Sequence, residues 1–158
     1  MSQKKEAMSQ KKEAMFYKKL AEKQVHCYLC PHNCHIPNEG RGHCGVRKNV
    51  DGVLYSLNYG EVTSVAVDPI EKKPLNRFHP GTYILSVGSA GCNLKCPFCQ
   101  NHSIARVKPE EIHAHHASSE EIVAKAVSLK REGNIGIAYT YNEPSIWYEF
   151  VYETARKA

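Results

Sequence analysis

Cys92, Cys96 and Cys99 stand in the run GCNLKCPFCQN from Gly91 to Asn101, spaced Cys-x3-Cys-x2-Cys with no fourth cysteine close behind. Cysteine thiolates are the usual protein ligands of cubane iron–sulfur clusters, so three of them can hold three of the four corners. The fourth iron then lacks a protein ligand and is open to a substrate or cofactor. A closed structural site uses four ligands, as structural zinc does. Zinc borrowing His102 is the competing reading, and the Cys-x3-Cys step fits it less well. Gly88, Ser89, Ala90 and Gly91 precede the run, and small residues let backbone approach a bulky group.

Two other groups of residues invite chemistry. Cys27, Cys30, Cys34 and Cys44 are spaced Cys-x2-Cys-x3-Cys-x9-Cys and interleave with His26, His32, His35 and His43. Four thiolates can close a zinc site or hold a second iron–sulfur cluster, and free thiols in a small β subdomain are the third option. The Tyr141-Asn142-Glu143-Pro144 stretch reads by itself as a helix entry, with Pro144 at the first helical position and Glu143 at the positive helix end. His113, His115 and His116 read as an exposed connector, Lys72 and Lys73 as a solvated pair, and Trp147 and Tyr148 as packing residues.

The chain resembles the radical S-adenosylmethionine superfamily, in which an aromatic residue commonly precedes the third cysteine, as Phe98 does here. Within it, the chain is similar to pyruvate formate-lyase activating enzymes and, more narrowly, to the radical enzymes of the AmmeMemoRadiSam system. Five blocks carry this likeness: Cys27 to Pro31, Arg41 to Val46, Asp68 to Pro74, Cys92 to Asn101 and Thr140 to Pro144. The resemblance implies a [4Fe-4S] cluster on Cys92, Cys96 and Cys99, with S-adenosylmethionine chelated at the open iron. It implies reductive cleavage to methionine and a 5′-deoxyadenosyl radical, which abstracts hydrogen from a substrate. Tyr141 and Asn142 replace the glycines of the family's Gly-Gly-Glu loop, and Glu143 keeps its glutamate, which contacts the cofactor's amino group. Phe98, Tyr141, Asn142 and Glu143 are thus the expected cofactor contacts. An electron donor is an implied partner, and a partner protein is one precedent for the substrate. The alternative is a non-enzymatic iron–sulfur or zinc module that transfers electrons or scaffolds a partner.

These residues need elements to position them. Val46–Val50 and Val53–Leu57 flank Asp51-Gly52, a hairpin signal, and Val62–Val67 alternates as a third strand. Tyr83–Gly88 and Ile135–Thr140 read as buried strands. Between them Ser118 and Glu121 form a capping box ahead of the helical spacing of Ile122, Val123, Ala126 and Val127, with Gly133 as the stop. A second amphipathic helix runs from Ser145. Strand, crossover helix and strand imply parallel neighbours. Both candidate loops then leave carboxyl ends of adjacent strands, the face on which α/β barrels carry active sites. The fold class expected is α/β, a truncated radical SAM-type partial (β/α) barrel behind a small Cys-rich β subdomain. Residues 1–22 form a polar tail, 23–80 the Cys-rich β subdomain and connector, and 81–158 the first two βα units. The family's barrel has about six such units by the same resemblance. The expectation is therefore a fragment, a split gene product, or one half of an enzyme whose barrel a second chain completes.

The 158 residues are 42% hydrophobic and 23% charged, which supports a packed core. The heptamer MSQKKEA occurs twice, over residues 1–7 and 8–14, and reads as a frayed polar tail, helical or not, from which no function is drawn. That segment supplies +2 of the formal +5 charge, and the remaining basic residues form no stripe and no aromatic platform. Nucleic acid is therefore not an expected partner. No apolar stretch approaches membrane-spanning length and the N-terminus lacks an apolar signal core. Seven cysteines in two clusters suit metal binding in a reducing compartment, so the cytoplasm is the expected location.

Overall fold

The structure, a computed structural model, describes residues 12–158. The first heptamer and the start of the second lie outside the described residues. Eleven strands are formed among the described residues: β1 (Lys12–Glu13), β2 (Tyr17–Lys19), β3 (Val25–Cys27), β4 (Cys34–Ile36), β5 (Arg47–Val50), β6 (Val53–Ser56), β7 (Glu61–Val62), β8 (Ser64–Pro69), β9 (Tyr83–Gly88), β10 (His115–His116) and β11 (Asn134–Tyr139). The α-helices are α1 (His102–Ala105), α2 (Ser119–Ser128) and α3 (Tyr148–Ala155).

The first half builds two small antiparallel sheets, ordered β1-β6-β5 and β2-β3-β4. The expected hairpin is present: Val50 pairs with Val53, and Asp51 and Gly52 both take positive φ, as a two-residue turn matched to strand twist requires. Residues 12–19, read from sequence as polar tail, instead supply edge strands to both sheets. Lys12 pairs with Ser56 and Tyr17 with Cys27. The physical reason is Ala14, which packs into a core with Val25, Cys27, Ile36 and Leu54.

The second half centres on a sheet ordered β11-β9-β8. β9 and β11 are parallel, with Leu85 opposite Ile137 and Val87 opposite Tyr139, and α2 lies between them in the chain. β8 pairs antiparallel to β9, so residues that the sequence groups with the preceding subdomain join this sheet. Thr63 interrupts the expected third strand and divides it into β7 and β8. The α2 helix starts as its capping box dictates: Ser118 accepts from the Glu121 N–H, and Glu121 accepts from the Ser118 N–H.

Leu85 and Val87 face Ile122, Ala126, Leu129, Trp147 and Phe150 in the larger core. Trp147 and Phe150 stack with ring centroids 4.6 Å apart. The fold is mixed α/β with several small sheets. Among the described residues no sheet closes on itself, so the barrel character inferred from the resemblance is not seen. No described helix is long and apolar enough to cross a membrane.

Candidate metal and cofactor site

The parallel pairing of β9 with β11 decides where the chemistry-bearing loops emerge. Gly88 ends β9 and the chain runs straight into Ser89, Ala90, Gly91 and Cys92. Tyr139 ends β11 and is followed by Thr140 to Glu143. The two loops therefore leave the same edge of the sheet, and Cys92, Cys96, Cys99, Tyr141, Asn142 and Glu143 line one open cavity of about 280 Å³. Leu94, Asn101, Ala105 and Arg106 complete its wall.

Asn142 ties the two loops together. Its Nδ2 donates to the Gly91 carbonyl at 2.7 Å and to Ser89 Oγ at 3.1 Å, while its Oδ1 accepts from the Ser89 N–H at 3.4 Å. Asn58 Nδ2 donates to the same Ser89 hydroxyl, and the Trp147 indole donates to the Asn58 carbonyl. This polar chain is largely buried, so each bond is favoured over an unsatisfied group. Gly91 has φ +82, and a Cβ there would lie 2.8 Å from the Cys44 carbonyl oxygen. A residue without a side chain is needed at this close approach.

Glu143 performs the helix-entry role expected of it, accepting from the Ser145 N–H at 3.2 Å with Pro144 behind it. Tyr141 takes φ +72, a conformation favouring glycine, and its hydroxyl donates to Asp68 Oδ2 at 3.1 Å. Burial, reinforced by the Asp68 carboxylate, pushes the Tyr141 phenol up. The cysteine loop is braced by Arg106, which donates to the Cys96 carbonyl, and by the Leu94 N–H, which faces Cys92 Sγ at 3.4 Å. Phe98 is not brought into the cavity: it is 86% exposed.

Of the two lysines read as a solvated pair, Lys72 stays exposed and Lys73 does not. Each ammonium donates to Asp68 at 2.7 Å, and Lys73 is largely buried. Burial alone would raise the Asp68 pKa, but these two hydrogen bonds outweigh it and hold the carboxyl far below its usual range.

Cys27 and Cys34 face one another across β3 and β4, and the His43 N–H points to Cys34 Sγ at 3.5 Å. Burial pushes the Cys27 and Cys44 thiols up. Among the described residues no three His, Cys, Asp or Glu side chains are disposed to hold a metal ion. The second metal expected at Cys27, Cys30, Cys34 and Cys44 thus gains no support. A cubane differs from a single ion because its thiolates bind separate irons, so its ligands need not converge on one point. The three thiols on one cavity wall, with small buried residues behind them and an unfilled space in front, fit such a group. His113 lies outside the cavity lining, and His115 and His116 pair with Val62 and Glu61 instead of joining a ligand set.

Sequence reasoning missed Arg106 and the anchoring role of Asn142. Arg106 lies seven residues beyond Cys99, and the turn of α1 that returns it to the cavity has no local sequence mark.

Residues 86–158, from the middle of β9 onward, match the family model described as the Radical SAM superfamily. Two curated proteins of Methanocaldococcus jannaschii are similar to this chain. The uncharacterized protein MJ0808 is 47% identical over 137 residues, covering 87% of this chain and 40% of that protein. The uncharacterized protein MJ0674 is 25% identical over 122 residues, covering 75% of this chain and 31% of that protein. The chain spans 40% and 31% of the lengths of these relatives. No solved structure matches it.

Proposed function

We propose that this chain carries the cluster- and cofactor-binding part of an enzyme that cleaves S-adenosylmethionine reductively and abstracts hydrogen from a substrate. One observation carries the reading: three cysteines after β9 and a glutamate after β11 line a single cavity at the carboxyl ends of neighbouring parallel strands. The family match over these elements supports it.

In this reading Cys92, Cys96 and Cys99 hold a [4Fe-4S] cluster at three corners. When bound, the cluster supplies the electron that splits the sulfonium into methionine and a 5′-deoxyadenosyl radical. The chain's own residues bind and orient. Glu143 offers a carboxylate to the cofactor's ammonium, and Asn142 fixes the distance between the two loops. Tyr141 forms part of the wall. Arg106 adds positive charge beside the cysteine loop. Phe98, exposed and outside the cavity lining, takes no part in this reading. The finer kinship, with pyruvate formate-lyase activating enzymes and the AmmeMemoRadiSam system, belongs to the same proposal and rests on the five sequence blocks. An electron donor is required, and a reducing cytoplasm suits seven cysteines that are all unpaired in the structure.

The test is anaerobic reconstitution with iron and sulfide, followed by S-adenosylmethionine. Binding should change the paramagnetic signal of the reduced protein, and 5′-deoxyadenosine should form with reductant. A simple electron carrier would show neither. Preparations that take up only zinc would end the proposal.

A further inference from the structure

The loop bearing Glu143 is held from below by a second sequence block. Asp68 is the penultimate residue of β8 and is 4% exposed. It accepts three hydrogen bonds: from Lys72 Nζ and Lys73 Nζ at 2.7 Å each, and from the Tyr141 hydroxyl at 3.1 Å. Lys73 Nζ also lies 5.5 Å from the centre of the Tyr141 ring, a cation over an aromatic face. Beside the ring, Gly88 leaves room that no other residue would: a Cβ there would lie 2.8 Å from Tyr141 Cδ2.

Tyr141 thus occupies a left-handed backbone conformation that glycine adopts freely and a tyrosine does not. A residue stays in such a conformation only when its surroundings over-determine it. Here they do, from three sides: the Asp68 hydrogen bond, the Lys73 ammonium and the gap at Gly88. Asp68 and Tyr141 are 73 positions apart, so no local preference explains the contact.

We propose that Asp68 is a positioning residue for the candidate cofactor site. With Lys72 and Lys73 it forms a charged seat that clamps the Tyr141 side chain, and the clamped tyrosine sets Asn142 and Glu143 against the cysteine loop. The Asp68–Pro74 and Thr140–Pro144 blocks are then two halves of one device. Its role as an aid to cofactor binding rests on the function proposed above. Its mechanical part does not.

Three variants test it: Tyr141→Phe, which keeps the ring and removes the hydroxyl, Tyr141→Gly, and Asp68→Asn. Hydrogen exchange followed by mass spectrometry reads the mechanical part without any ligand. Exchange over residues 140–147 and 88–92 should rise in all three variants, while the β5–β6 hairpin stays at the wild-type rate. Tyr141→Phe is the sharp case, because it removes only the hydroxyl that Asp68 accepts from, whereas glycine adds backbone freedom of its own. Protection of the loop unchanged in Tyr141→Phe, or increased in Tyr141→Gly, overturns the proposal.

The second readout is S-adenosylmethionine affinity of the reconstituted protein by equilibrium dialysis. Tyr141→Phe and Asp68→Asn should each weaken it about tenfold, and the double variant should be no worse than either single. Losses that add, or that merely follow the melting temperature, would mark a general packing role and refute positioning. If the wild-type chain binds no S-adenosylmethionine, the enzymatic reading fails while the exchange result still decides whether the clamp exists.

Discussion

Arg47 and Glu149 meet in the interior, both nearly inaccessible to solvent, with Arg47 Nη2 2.7 and 2.8 Å from the two oxygens of the carboxylate. Arg47 begins β5 and Glu149 lies in the first turn of α3, so the pair joins the cysteine-rich half to the half that carries the candidate site. Met15 completes the arrangement, since its N–H donates to Glu149 Oε1 and its carbonyl accepts from Arg47 Nη1. Arg47 Nε is left without a partner, and a buried pair of this kind adds little net stability over well-packed apolar residues.

Removing one partner should therefore be far worse than removing both. Arg47→Met alone leaves a buried carboxylate uncompensated and should cost about 3–5 kcal/mol. Arg47→Met with Glu149→Leu should recover most of that loss. Urea denaturation of the two variants measures the difference, and equal destabilisation would contradict it.

Gly91→Ala should damage the fold and the site together. The new methyl would overlap Val46 and press on the Cys44 carbonyl, at a backbone φ of +82. The expected loss is about 1–3 kcal/mol from strain alone. Iron uptake after reconstitution should fall with it, because Gly91 leads directly into Cys92. A variant of wild-type stability and iron content would show that the loop accommodates the methyl.

Asn142→Ala should detach the loops that the side chain joins. Three hydrogen bonds end on it, and the partners left buried should make the change cost about 1–3 kcal/mol. Asn142→Asp keeps the shape but cannot donate to the Gly91 carbonyl, so it should behave like alanine. Formation of 5′-deoxyadenosine should fall in both, whereas the iron content should hold, since the thiols are untouched.

Acid should weaken the fold partly through Glu153. Hydrogen bonds from Tyr59 first, then from Lys157 and Lys12, hold its carboxyl at about 2, with burial opposing them. Its pKa in the unfolded chain is about 4.3. The folded value is the lower one, so the stabilisation is complete above the unfolded pKa and drains away as pH falls toward about 2. Tyr59→Phe should be less stable than wild type at neutral pH, and the gap should narrow in acid. A gap that does not change with pH would assign the tyrosine's contribution to packing.

Much of the local architecture was legible because short-range chemistry wrote it. The Asp51-Gly52 turn, the Ser118–Glu121 capping box, the Gly133 stop and the apolar run of β9 each fix a conformation within a few residues. The cysteine spacing pointed to the loop that became one wall of the cavity. The edge strand at Lys12 was not legible, because polar edge positions resemble a solvated tail until a partner such as β6 is known. The burial of Lys73 was not legible either, because the Tyr141 ring it lies over comes from a distant part of the chain.

By its order of residues alone, this protein determined which side chains could hold a cluster and where the β5–β6 hairpin, the strands β9 and β11 and the helix α2 would form. The strand–helix–strand order already set the cysteine loop beside the Glu143 loop, but only the tertiary structure decided that Phe98 stays outside their cavity and that Asp68 reaches Tyr141. The reason is physical. Spacing along the chain fixes geometry over one or two turns, whereas contacts between residues 50 or more apart depend on how β8, β9 and β11 register in one sheet. That register is set by the burial of Leu85, Val87, Trp147 and Phe150 in a common core, a property of the whole chain and of no single segment.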